Sequence, residues 1–195
     1  MILPMPSYSK LEYIFMQYQK DATGLCNSMQ VKKEEIVDVI AACYYLEKQK
    51  SLCLSDLKKN KGESKLAIFE KTNILNCFHA FNTKPSDFVN LEIQMNPYIR
   101  FISSPYLFYT EDGDRLKCLK YDCEYSIIPK IIATGELYVI EYPLIGPYRF
   151  LQALTHFSGK FRLTDLIRGR TEKENRMIQL RIKKMLLNQM LIISG

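Results

Sequence analysis

The rhythm of apolar and polar positions changes near residue 100. Before that point, spacings of three and four dominate. Leu11, Phe15, Tyr18 and Ala22 place one apolar stripe on a helix of about four turns, and Ser9 with Glu12 has the capping-box spacing that would open it. This stripe is expected to be core. A second helix is predicted over Lys33–Lys48, where Ile36, Val37, Val39, Ile40 and the run Ala41–Leu46 leave so little polar surface that near-complete burial is expected. Lys58–Ser64 is charged and contains Gly62, so it reads as a loop, followed by a third helix carrying Leu66, Phe69, Leu75 and Phe78. Pro85 with Phe88, Leu91, Ile93 and Met95 predicts one more short helix, stopped by Asn96 and Pro97.

Beyond residue 100 the pattern turns to strands. Tyr106–Thr110 and Arg115–Tyr121 flank an Asp112-Gly113 pair, a strong hairpin signal because glycine accepts the positive φ of a tight turn. After Ser126–Thr134 and Gly135, Glu136–Tyr142 is rich in β-formers and is closed by Pro143, Gly146 and Pro147, giving a third strand. Phe150, Leu151 and Leu154 then start a helix, Ser158-Gly159-Lys160 turns, and Leu163, Leu166 and Ile167 form a short helix. Thr171 with Glu174 caps a long helix reaching about Gln189, with Met190–Ile193 extended or frayed behind it. The expected class is α+β, with a helical N-terminal region over 1–98 and, over 99–195, a three-stranded antiparallel sheet with winged-helix-like helices.

Composition changes this picture little: 195 residues, 47% hydrophobic and 25% charged, describe an ordinary globular chain. No apolar run approaches the roughly 18 residues that span a bilayer, and the opening MILPMPSYSK lacks the pattern of a secretory signal, so a cytoplasmic protein with free thiols at its six cysteines is expected. His79 and His156, the two histidines, are too few for a multi-histidine metal site. Cys118 and Cys123 form the one close thiol pair, and an offset of five along an extended strand would turn them to opposite faces. G-x-S-x-G, a phosphate-cradling glycine loop and a local Cys-His signature are all missing, so no catalytic residue is assigned and the chain is expected not to be an enzyme on its own.

Charge is more informative. Nine cations from Lys160 to Lys184 face only Asp165, Glu172 and Glu174 in that stretch, which accounts for the whole net charge of +6. A solvated helix face explains such a run, and so does an anionic partner. On the long helix, Ile178, Ile182, Met185 and Leu186 share the side that must face the core, with Lys173, Arg176, Lys183 and Lys184 across from them. Leu180 and Leu187 sit among those cations, either covered by a neighbouring element of the chain or forming part of a groove for a partner's apolar side chains.

PYRFLQALTHFSGKFRLTDLI resembles the signature of the precursor-peptide recognition elements found in pathways that modify ribosomally made peptides (RiPPs). With the chain length, the helical first half and the string EYPLIGPYRFLQALTHFSG, the whole resembles the C-protein family of methanobactin biosynthesis (MbnC). That resemblance implies a heterodimer with an iron-dependent barrel oxidase of the MbnB type, which forms oxazolone and thioamide groups from cysteines of an MbnA-like precursor peptide on the way to a copper chelator. The iron would belong to the partner, with no cofactor in this chain. The implied role is capture of the peptide's leader by strand addition along 136–142, with Leu137, Tyr138, Val139, Ile140 and Glu141 as strand contacts. Leu180 and Leu187 would line the peptide site, and Arg176 and Lys183 would select by charge. A winged-helix DNA-binding regulator is the alternative, its basic residues 160–184 tracking phosphates.

Overall fold

The computed structural model of the protein describes residues 10–194 apart from 60–61, 83, 112–114, 132–135 and 156–158. Ser9, the Asp112-Gly113 turn, Gly135, His156 and Ser158 lie outside the described residues. The class is α+β. Among the described residues five helices come first: α1 (Lys10–Lys20), α2 (Ala22–Met29), α3 (Ile36–Lys59, entered through a 3-10 turn at Lys33–Glu35), α4 (Gly62–Phe81) and α5 (Pro85–Phe88). They are followed by β1 (Glu92–Met95), β2 (Arg100–Glu111), β3 (Arg115–Ile131) and β4 (Leu137–Pro143). A 3-10 turn at Gly146–Arg149 leads into α6 (Phe150–Leu154), then β5 (Lys160–Arg162), α7 (Leu163–Ile167), α8 (Glu172–Leu187) and β6 (Leu191–Ile193). Among the described residues no helix is long and apolar enough to cross a membrane.

The strands form two sheets. In one the order is β2-β3-β4, the antiparallel sheet expected from the hairpin signal and the strand after it. The other, β5-β1-β6, is new: Ile93 pairs with Phe161 on one side and with Ile193 on the other, both antiparallel. Contacts gather the chain into two compact units, Met1–Cys53 with Ile102–Tyr125, and Leu54–Phe101 with Ser126–Gly195, so residues 1–98 and 99–195 each contribute to both.

Several expectations about the helices are corrected. Asp21 accepts the Gly24 N–H at 2.8 Å and caps α2, so the first helical stretch breaks at residue 20. Its anchors are Lys10 and Ile14, while Phe15 and Tyr18 of the expected core stripe are exposed. The second helix continues to Lys59 and is amphipathic: Ile36, Val39, Cys43 and Leu46 are buried, but Val37, Tyr44 and Tyr45 face outward. Likewise Leu66 of α4 is buried and Leu75 and Phe78 are exposed. The short helix expected through Met95 stops at Phe88, and Ile93 is instead the buried centre of β1. Its alternation with Leu91 and Met95 is the two-residue period of a strand.

The unit containing α8 has an apolar core made by Ile93, Leu151, Leu154, Leu163, Ile182 and Met185, with Ile128, Phe161 and Leu191 around them. Gly169, at φ +74°, turns the chain between α7 and α8 in a conformation that side chains with a Cβ resist. Thr171 and Glu174 form the expected capping box, the Thr171 N–H donating to Glu174 Oε2 at 2.8 Å. The three-helix segment α6-α7-α8 keeps the expected order, but the sheet that pairs within it is β5-β1-β6.

In the other unit Tyr125 is fully buried. Its hydroxyl accepts the Phe108 N–H at 2.7 Å and donates to the Tyr106 carbonyl at 3.2 Å. Tyr125→Phe strands the Phe108 donor in the interior, and the expected loss is about 1–3 kcal/mol of unfolding free energy. Urea titration of the two proteins measures it.

Candidate functional site

β4 lies at one end of the β2-β3-β4 order, with β3 as its only neighbour in the sheet among the described residues. An edge strand of this kind presents a row of N–H and C=O groups that another extended chain can pair with. Along it Leu137, Val139, Ile140 and Glu141 are half-buried and Tyr138 is exposed. Period-two geometry puts Leu137, Val139 and Glu141 on one face and Tyr138, Ile140 and Tyr142 on the other.

The far end of β4 leads to α8. The Tyr142 ring lies 5.5 Å from that of Tyr148, in the 3-10 turn. Lys184 Nζ of α8 sits 5.0 Å over the Tyr148 ring, and Asn188 Nδ2 donates to its hydroxyl at 2.8 Å. Burial, reinforced by Tyr148 and Tyr138, pushes the Tyr142 hydroxyl up to about 12, so Tyr142 presents a neutral hydroxyl. Tyr142 and Tyr148 were not singled out by sequence reasoning, because the strand and the turn that join them meet only in the fold.

Among the described residues no neighbouring element covers Leu180 and Leu187, which are 55% and 66% exposed, and this weighs against the first of the two explanations for them. Met177 joins them at 48%. At 100° per residue Lys173, Arg176, Met177, Leu180, Lys184 and Leu187 share an arc of about 100°, opposite Ile178, Ile182 and Met185. Met177 could have been found from the sequence, since it stands three residues before Leu180 on the same stripe.

The basic run is less free than its formal charge suggests. Lys160 and Arg162 both reach Glu92 at 3.5 Å, and Arg170 Nε donates to the Leu166 carbonyl at 2.8 Å. Arg181 lies 5.9 Å from the Phe150 ring centre. Lys183 sits 4.8 Å over Phe88 and 6.0 Å from Phe81, so this residue, expected to select by charge, is held against its own core. Among the described residues Arg168, Lys173 and Arg176 are exposed and make no ion pair or ring contact.

None of the six cysteines is in a disulfide, and five of the six are buried. Burial pushes Cys43 and Cys118 up to about 12, which leaves them as inert core groups. The opposite-face argument for Cys118 and Cys123 rests on a steady alternation that β3 does not keep: Leu116 and Cys118 are buried, then Tyr125 and Ile127. The inward phase shifts between them, and Cys123 donates to the Tyr106 carbonyl at 3.6 Å, the same oxygen that Tyr125 uses. Among the described residues no group of three or more His, Cys, Asp or Glu side chains is placed to hold a metal ion.

Among the described residues the fold and this site define an α+β protein with an open sheet edge, joined through two tyrosines to a helix whose outer face mixes Met177, Leu180 and Leu187 with Lys173, Arg176 and Lys184. No family model matches the chain, and no curated protein and no solved structure matches it either.

Proposed function

We propose that this chain is a cytoplasmic, non-catalytic subunit that binds the leader of a ribosomally made precursor peptide and presents its cysteines to a partner oxidase, as the resemblance to the methanobactin C-protein family implies. The iron and the oxidation to oxazolone and thioamide groups belong to the MbnB-type partner. The observation that carries the reading is the pairing of the β4 edge with the outward Met177, Leu180 and Leu187 of α8, linked through Tyr142, Tyr148 and Lys184. A leader strand adding to β4 gains main-chain hydrogen bonds there and apolar contact on the helix, with Lys173 and Arg176 at its margin to favour acidic side chains.

The same helix face weighs against the DNA-binding alternative. A helix that reads base edges in the major groove needs donors and acceptors along its outer side, and half of that side here is the apolar Met177, Leu180 and Leu187, set between Lys173, Arg176 and Lys184. Labelled precursor leader and labelled duplex, each titrated at two salt concentrations, separate the readings. Peptide binding is expected to change little with salt, and Arg176→Glu to weaken it by no more than about fivefold, since exposed ion pairs contribute roughly 0–1 kcal/mol. Binding of duplex alone, with steep loss of affinity as salt rises, overturns the proposal.

A further inference from the structure

Helix α4 carries a second apolar face that its own core does not use. Leu66, Asn73, Cys77 and Ala80 are buried on one side, while on the other Ile68, Ile74, Leu75 and Phe78 are 50–68% exposed. At 100° per residue these four span an arc of about 120° with Lys71 at its centre. A groove of about 290 Å³ opens in this face, walled by Ala67, Glu70, Lys71, Ile74, Leu75 and Ile131.

Its polar requirement follows from the two charged walls. Glu70 is buried and engaged: one carboxylate oxygen accepts the Ile131 N–H at 3.0 Å and the other lies 3.8 Å from Lys130 Nζ. Lys71 is exposed and makes no ion pair among the described residues, so it is the charge that an incoming group meets. Two copies of the chain crossing at the middle of this face would set Lys71 against Lys71, and like charges at close range repel. The face therefore fits a different protein better than it fits itself.

We propose that the outer face of α4 docks an amphipathic helix of another protein, whose apolar row packs on Ile68, Ile74, Leu75 and Phe78 and whose central carboxylate meets Lys71. One bulky apolar side chain of that helix enters the groove, in the manner of helix-in-groove recognition. A helix laid along the 20 residues of α4 would run for roughly 30 Å, long enough for three or four such anchors. The inference is independent of peptide capture, because neither β4 nor α8 supplies any of these residues.

The test uses the full chain and a designed, dye-labelled helical peptide with leucines along one face and a glutamate at its centre, beside the same peptide with lysine there. Fluorescence anisotropy is expected to show the glutamate peptide binding about three- to fivefold more tightly than the lysine peptide, with Lys71→Glu reversing that order. Ile74→Asp should abolish binding of both. Because Lys71 is exposed, its substitution leaves the fold in place and decides the matter even where Ile74→Asp unfolds the chain. Equal binding of the two peptides, no reversal by Lys71→Glu, or no binding of either up to about 1 mM overturns the proposal. So does a dimer in sedimentation that Ile74→Asp dissociates, which would make a second copy the occupant.

Discussion

Proline placed in the middle of β4 is expected to abolish binding of a leader peptide, the largest functional effect of any single substitution in this protein. In an edge strand alternate residues bond inward, here to β3, and those between them turn their N–H and C=O outward. Of the neighbours Val139 and Ile140, one therefore faces β3 and the other faces the open edge. Proline at the outward position deletes a donor to the peptide and puts its ring where the added strand must lie, while the inner ladder survives. Its expected signature is a loss of affinity beyond about a hundredfold with the melting temperature held to within a few degrees. Proline at the inward position breaks a β3 bond and lowers the melting temperature. Measuring both variants by peptide titration and by thermal melts sorts them. If both melt as the unmodified chain does and both bind peptide normally, strand addition on β4 is wrong.

The largest effect on stability is expected at Lys10, and its sign is favourable. This lysine is 4% exposed, with its ammonium 5.7 Å from the Phe108 ring centre and 5.6 Å from that of Tyr125. Burial, with the nearby Lys50 adding to it, lowers its pKa to about 7, against which Cys43, Glu47 and Cys123 pull only weakly upward. In the unfolded chain Lys10 ionises near 10.5, so between pH 7 and pH 10.5 the unfolded state holds the proton and the folded state has released it. Stability therefore rises with pH across that window. Below pH 7 both states are charged and the full desolvation penalty is present. Lys10→Met keeps the length of the side chain and removes the ionisable group, so it should stabilise the protein by a few kcal/mol at pH 7. The gain should shrink toward zero near pH 10.5. Denaturant titrations at pH 7, 8.5 and 10 check it, and a constant or negative difference across the series would contradict the burial of this amine.

Much of the second half of the chain was readable from its residues. Asp112-Gly113 between apolar runs and the Glu136–Tyr142 segment mark neighbouring strands, and Thr171 with Glu174 marks the start of α8, because each of these is a local signal. The β5-β1-β6 sheet was not readable. Its central strand is four residues long, too short to separate a two-residue period from a helical one, and its partners lie 66 residues or more away, as in Gln94 with Lys160 and Ile93 with Ile193. The helices misled for a different reason. Tyr44, Tyr45, Leu75 and Phe78 count as apolar in any pattern, yet whether a second apolar face is covered depends on partners that the helix itself does not encode. Nothing in the sequence around Lys10 tells a buried amine from a solvated one. In the candidate site β4 and the Leu180–Leu187 stripe were visible, whereas the tyrosine link between them required the fold.

Helix α8 places leucines on two faces, and only Leu186 of the core face is tied to the interior while Leu180 and Leu187 point outward. Selection of variants for expression or solubility would favour polar residues at those two positions and keep every fold-based readout intact. Such a screen would drift toward a well-behaved protein that has lost its affinity, so any engineering of this chain has to select on ligand retention and on yield together.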